Sequence, residues 1–174
     1  MKRERMRDKG FSLVELIIVL AMMAILVVVL SPQYLKYLER ARNSADLQNA
    51  RTIVNAIQIY AADPQANPPI TFDNTNGAKI TIHGNGTPST IEDDNASVAA
   101  ALDNAGLEIT NMYCASKTAW TGYTITVKVE TDGSISFAYQ GEGSADANID
   151  AFADMMTGAV DTDDEDSGGG DGTT

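Results

Sequence analysis

Between residues 11 and 30 only Ser12 and Glu15 are polar, and this run limits most of what the chain can become. A helix of that length reaches about 30 Å at about 1.5 Å per residue, the depth of a bilayer's hydrocarbon layer. The segment is expected to form a helix able to span a membrane. The rest of the sequence is rich in Asn, Asp, Thr and Gly, so the 44% hydrophobic content averages an apolar rod with a polar head.

Charge is divided in the same way. Residues 1–10 hold five Lys/Arg against two acids, a net +3, whereas residues 52–174 hold three Lys against nineteen acids, a net −16. Positive charge beside an apolar span stays on the cytoplasmic side, which predicts an external head. A head so acidic repels phosphate, so direct nucleic-acid binding is not expected. Cys114 is the single cysteine, which excludes an intramolecular disulfide and reads as a small buried hydrophobe.

A basic leader before an apolar run fits a secretory signal, a membrane anchor, or a leader of the prepilin type. A secretory signal ends in small residues after its apolar stretch, but here Leu30 is followed by Ser31, Pro32 and Gln33. A plain anchor leaves Glu15 unexplained, because an ionisable group inside a membrane segment is costly and signals function. Its place in the first helical turn lowers that cost through the helix dipole, and a cationic partner would lower it further.

The string Gly10-Phe11-Ser12-Leu13-Val14-Glu15, behind a basic leader and ahead of an apolar helix, resembles the processing site of type IV prepilins. Pilins and the pseudopilins of type II secretion and DNA uptake share that site. The resemblance implies that a prepilin peptidase cuts after Gly10 and that the new terminus at Phe11 is N-methylated. It also implies that Glu15 pairs with the Phe11 amine of a neighbouring subunit during assembly, driven by an assembly ATPase and a membrane platform protein complex. Physically, such pairing removes two uncompensated charges from a poorly solvating medium.

Pro32 matches a position where many pilins carry proline. Without an N–H it cannot bond the Val28 carbonyl, so a kink or loosened turn is expected there. Beyond it, Leu47, Ala50, Val54, Ile57 and Ala61 form an apolar stripe at helical spacing, with Asp46, Gln48, Asn49, Arg51 and Asn55 assigned to the outward face. The helix should end near Ala62, where Asp63, Pro64, Pro68 and Pro69 follow.

In the head, residues 70–72 and 79–83 read as short strands, and 90–104 as a helix capped by Ser89 or Thr90 and ended by Gly106. Residues 123–130 and 134–139 read as a hairpin through Thr131, Asp132 and Gly133. Trp120, Tyr123, Phe137, Tyr139 and Phe152 are the expected large core residues. The fold class is therefore α+β: one long N-terminal helix, half transmembrane and half packed against a small antiparallel sheet.

Five segments follow from this reading: a leader (1–10), a transmembrane or filament-core helix (11–32), an amphipathic helix on the head (33–62), a globular α+β head (63–160) and an acidic disordered tail (161–174). The alternating acids Asp161, Asp163 and Glu165 lack the glycine and distant Glu of a calcium loop and read as solvated tail. His83 is the single histidine, so neither a His-based metal cluster nor a catalytic triad is available. Gly84 and Gly86 read as a turn, not a phosphate cradle. The triplets beginning at Asn85 and Asn95 fit the glycosylation pattern only as chance matches in an Asn-rich head. No cofactor, metal or catalytic residue is expected, and nothing in the sequence resembles an enzyme. The expected role is a filament subunit, first a single-pass precursor in the cytoplasmic membrane, then part of an extracellular homo-oligomer. The alternatives are a pseudopilin of a secretion or DNA-uptake machine, or a signal-anchored surface binding protein that never polymerises.

Overall fold

The computed structural model describes residues 11–70, 77–84, 86–92, 95–143 and 150–158. They form an α+β protein: helix α1 (Leu13–Ala61), strands β1 (Ala78–His83) and β2 (Thr90–Ile91), helix α2 (Ala96–Asn104), strands β3 (Gly122–Val129) and β4 (Ile135–Glu142), and helix α3 (Asp150–Thr157). The chain divides into two compact units, one ending at Leu38 and one beginning at Glu39, and α1 contributes to both.

In the first unit, the Leu16 N–H donates to the Ser12 carbonyl at 3.2 Å, and Glu15 lies in the first turn of α1. Every residue from 11 to 37 is exposed. Pro32 lies inside α1, which continues past it. The missing N–H removes one bond of the ladder there without ending the helix.

In the second unit, α1 buries Asp46, Ala50, Ile53, Val54, Ala56, Ile57 and Tyr60, a stripe at helical spacing. The expected stripe is correct at Ala50, Val54 and Ile57, while Leu47 is half-buried and Ala61 is exposed. The expected outward face is correct at Gln48, Arg51 and Asn55 but wrong at Asp46, which is fully buried, and Asn49 is half-buried. The helix ends one residue before Ala62. The Asp63 carboxylate accepts from the Gln65 N–H at 2.9 Å, and the Tyr60 hydroxyl donates to the Pro68 carbonyl at 3.0 Å. These bonds turn the chain away where Pro64 cannot continue a helix.

The four strands pair antiparallel in the order β2-β1-β3-β4. Strand alternation turns Ala78, Ile80, Ile82, Tyr123, Ile125 and Val127 into the core, where they join the buried stripe of α1. The β3–β4 hairpin runs through Thr131, Asp132 and Gly133 as expected. Asp132 Oδ1 accepts from both the N–H (2.9 Å) and the hydroxyl (2.6 Å) of Ser134. Trp120, Tyr123 and Phe152 are fully buried, while Phe137 and Tyr139 are half-buried against the core.

The reading of residues 90–104 needs correction. Thr90 and Ile91 pair with Thr81 and Ile80 as an edge strand, and the helix begins only at Ala96. Two β-branched residues beside an open strand edge gain more from pairing than from a helical first turn. Asn95 takes the cap, its Oδ1 accepting from the N–H groups of Ser97 (3.2 Å) and Val98 (3.3 Å). Gly106 ends this helix as expected: at φ +69° it lets Leu107 N–H reach the Leu102 carbonyl (2.8 Å) and its own N–H reach Asp103 (2.9 Å). Ile70 is not in a strand; residues 71–72 lie outside the described residues, as do the leader and the acidic tail. Helix α3, absent from the sequence reading, carries Phe152 into the core.

Candidate functional site

Two features of α1 carry chemistry. The first is the N-terminal segment. Phe11 is 81% exposed and Glu15 stands in the first helical turn, ahead of an unbroken apolar surface running to Leu30. Gly10 lies outside the described residues. Fully burying one Val, Leu or Ile side chain is favourable by about 1.5–3 kcal/mol, so a helix that is apolar all round and exposed all round requires lipid or other helices about it. This segment is long and apolar enough to cross a membrane.

The second feature went unseen in the sequence. Asp46 is fully buried, and its carboxylate accepts from four donors of one loop. These are the N–H groups of Ala115 (2.7 Å) and Ser116 (2.9 Å), the Trp120 indole N–H (3.0 Å) and the Cys114 thiol (3.2 Å). Two turns earlier on the same helical face, Glu39 Oε1 accepts from the Ser116 hydroxyl (2.9 Å) and the N–H groups of Lys117 (2.7 Å) and Thr118 (2.8 Å). Its other oxygen faces Arg42 at 3.3 Å. Ser116 joins the two sites, giving its N–H to Asp46 and its hydroxyl to Glu39.

Electrostatics follow from those bonds. Burial alone would raise the Glu39 pKa, but the Lys117 and Thr118 amides and the Ser116 hydroxyl outweigh it and hold the carboxyl at about 2. Burial, then the neighbouring Asp46 charge, pushes the Cys114 thiol far above its usual range. Cys114 is thus the small buried residue expected, though it also donates to Asp46.

Glu15 and Pro32, which the sequence singles out, lie on α1 and Phe11 stands two residues before its start, but a loop's backbone amides have no sequence signature. One signal was available. Asp46 is in phase with Ala50, Ile53 and Ile57, so an acid stands at the head of the apolar stripe.

Residues 5–31 match the family model described as the prokaryotic N-terminal methylation motif. The chain is also similar to a protein named prepilin peptidase-dependent protein A, from Clostridium perfringens (strain 13 / Type A). The two are 33% identical over 92 residues, which make up 52% of this chain and 62% of that protein. The chain therefore spans less than two thirds of that relative's length. No solved structure matches it.

Proposed function

We propose that the chain is a structural subunit of a type IV pilus-like filament, a reading supported by the match of residues 5–31 to the prokaryotic N-terminal methylation motif. In this reading a prepilin peptidase cuts after Gly10 and the Phe11 amine is N-methylated. The precursor is a single-pass protein of the cytoplasmic membrane with its head outside. An assembly ATPase and platform complex then extract it into an extracellular homo-oligomer. One observation carries the proposal: the apolar segment 13–30 of α1, exposed on all sides, bears a single carboxylate, Glu15, four residues after Phe11.

The mechanism is assembly. Moving the apolar surface from lipid onto equivalent helices exchanges one apolar environment for another, so little hydrophobic energy changes. Pairing Glu15 with the Phe11 amine of the next subunit neutralises both charges at membrane depth and supplies the specificity that apolar contact lacks. Pro32 leaves the Val28 carbonyl without its helical donor, which makes a compliant joint for packing.

Mass spectrometry of the mature protein tests processing: the expected terminus is N-methylated Phe11, and an intact residues 1–10 overturns the proposal. Electron microscopy of sheared cells tests polymerisation. Long fibres carrying the chain are expected, and a Glu15→Leu variant that polymerises at the normal rate and yield would refute the charge-pairing step.

A further inference from the structure

The outward face of the sheet carries a prepared polar site. In the strand register His83 on β1, Gly122 on β3 and Glu142 on β4 share one row. His83 and Glu142 are two strands apart, yet His83 Nδ1 lies 3.8 Å from Glu142 Oε2. Gly122 makes this possible, because a Cβ there would meet Glu142 Oε2 at 2.9 Å and the Ile82 carbonyl at 3.0 Å. Glu142 Oε1 is held by the Thr124 hydroxyl at 2.9 Å, and that hydroxyl lies 3.2 Å from the hydroxyl of Thr81. The Glu142 carboxylate is thus fixed by the sheet, with its second oxygen and the imidazole facing outward.

His83 and Glu142 line two adjoining depressions. One, of about 830 Å³, continues past Thr87 and Lys117 to Tyr113. The other, of about 280 Å³, continues over Lys79, Thr126 and Gln140. Tyr113 is 45% exposed, turned outward while its neighbour Cys114 is buried.

We propose that this track binds a neutral oligosaccharide, with Tyr113 as the stacking platform and the His83–Glu142 pair as the hydroxyl-recognition point. A hydroxyl oxygen about 2.8 Å from each of His83 and Glu142 closes a triangle on their 3.8 Å separation, accepting from the imidazole and donating to the carboxylate. With the proton on His83 Nδ1, a group that is donor and acceptor at once, as a sugar hydroxyl is, satisfies both partners. The threonine hydroxyls and Gln140 supply further partners of the same kind, and two depressions sharing one wall suit more than one ring. The net −16 of residues 52–174 disfavours an acidic ligand, and at one end of the track Lys79 pairs with Glu92 at 3.5 Å, so that pair adds no net charge to attract an ion of either sign. An exposed aromatic beside fixed polar groups is the combination that a ring with one apolar face requires.

The inference concerns the head and does not rest on the filament reading. Saturation-transfer NMR on the full chain, held in a zwitterionic detergent without sugar headgroups, tests it with three neutral trisaccharides: cellotriose, maltotriose and the trimer of N-acetylglucosamine. Trigalacturonate serves as the acidic control. At least one neutral trimer should receive transfer, and Tyr113→Ala and His83→Gln should each weaken its binding by about tenfold or more. Tyr113 is exposed and His83 partly so; far-UV circular dichroism identifies a variant that misfolds, and the other then decides. No transfer to any neutral trimer, equal or stronger binding of the acidic trimer, or binding unchanged in a folded variant overturns the proposal.

Discussion

The indole N–H of Trp120 donates to Asp46 Oδ2 at 3.0 Å, joining two fully buried residues that lie 74 positions apart in the chain. Around them the core is apolar, and an apolar stripe by itself tolerates sliding by a turn. A carboxylate that finds all its donors in one loop does not, so Asp46 fixes where residues 114–120 meet α1.

Replacing Asp46 with Ala should therefore cost far more than its few side-chain atoms suggest. The Ser116 amide and the Trp120 indole would each lose their acceptor at a buried site, and the half-buried Ala115 amide would lose its own. At about 1–3 kcal/mol for each unsatisfied buried donor, the Ser116 and Trp120 donors alone should cost the head at least about 2 kcal/mol. Urea unfolding of the full chain in detergent, followed by the fluorescence of its single tryptophan, reads this directly. Cys114→Ser, which keeps a donor toward Asp46, should lose less than half as much.

Glu39 predicts a pH dependence of definite sign. Its folded carboxyl titrates at about 2, below the ordinary value of 4.5, so the unfolded chain binds the proton more readily. The resulting stability is fully present above pH 4.5 and declines as the pH falls toward 2. Glu39→Gln removes this contribution. The gap in melting temperature between wild type and variant should be widest near neutrality and shrink across that acid window. A gap that stays constant from pH 6 to about pH 2.5 would contradict the assignment.

What the sequence disclosed and what it concealed divide along physical lines. The start and end of α1, the β3–β4 hairpin and the Gly106 terminator depend on apolar runs, alternation, proline and turn residues, all local signals. The motif at residues 10–15 is local as well. Thr90 and Ile91 were misread because local capping rules favoured a helix, while the edge of β1, which only the fold creates, favoured a strand. Asp46 was misplaced because its partners, two backbone amides, an indole and a thiol, lie 68 to 74 residues away. Helix α3 was missed, although Phe152 is an expected core residue, because its 8 residues bury only Phe152 and so show no helical period.

Cys114 offers a chemical check on the same loop. Burial and the Asp46 charge disfavour its thiolate, the reactive form. In the folded chain alkylation by iodoacetamide at pH 8 should be slower than in urea by about a hundredfold or more. Asp46→Ala should speed the native reaction, because it removes the neighbouring charge and loosens the loop together. Mass spectrometry of the alkylated cysteine against time measures both rates, and equal rates in the folded and unfolded chain would show the thiol to be open to solvent.

Phe152 bears the most weight on α3. Its ring stacks on Tyr123 with centroids 4.5 Å apart and meets the Trp120 ring edge-on at 5.2 Å. It is fully buried, so Phe152→Ala removes a large side chain from a site closed by two rigid rings that cannot collapse inward. A loss of about 3–5 kcal/mol is expected, in the range for deleting a buried aromatic. The tryptophan fluorescence should also shift, since Trp120 would lose its edge contact, whereas Met155→Ala on the exposed side of the same helix should leave both stability and fluorescence nearly unchanged. If the two variants unfolded at the same urea concentration, α3 would not be part of the cooperative head, and the aromatic stack would have to form without contributing to its stability.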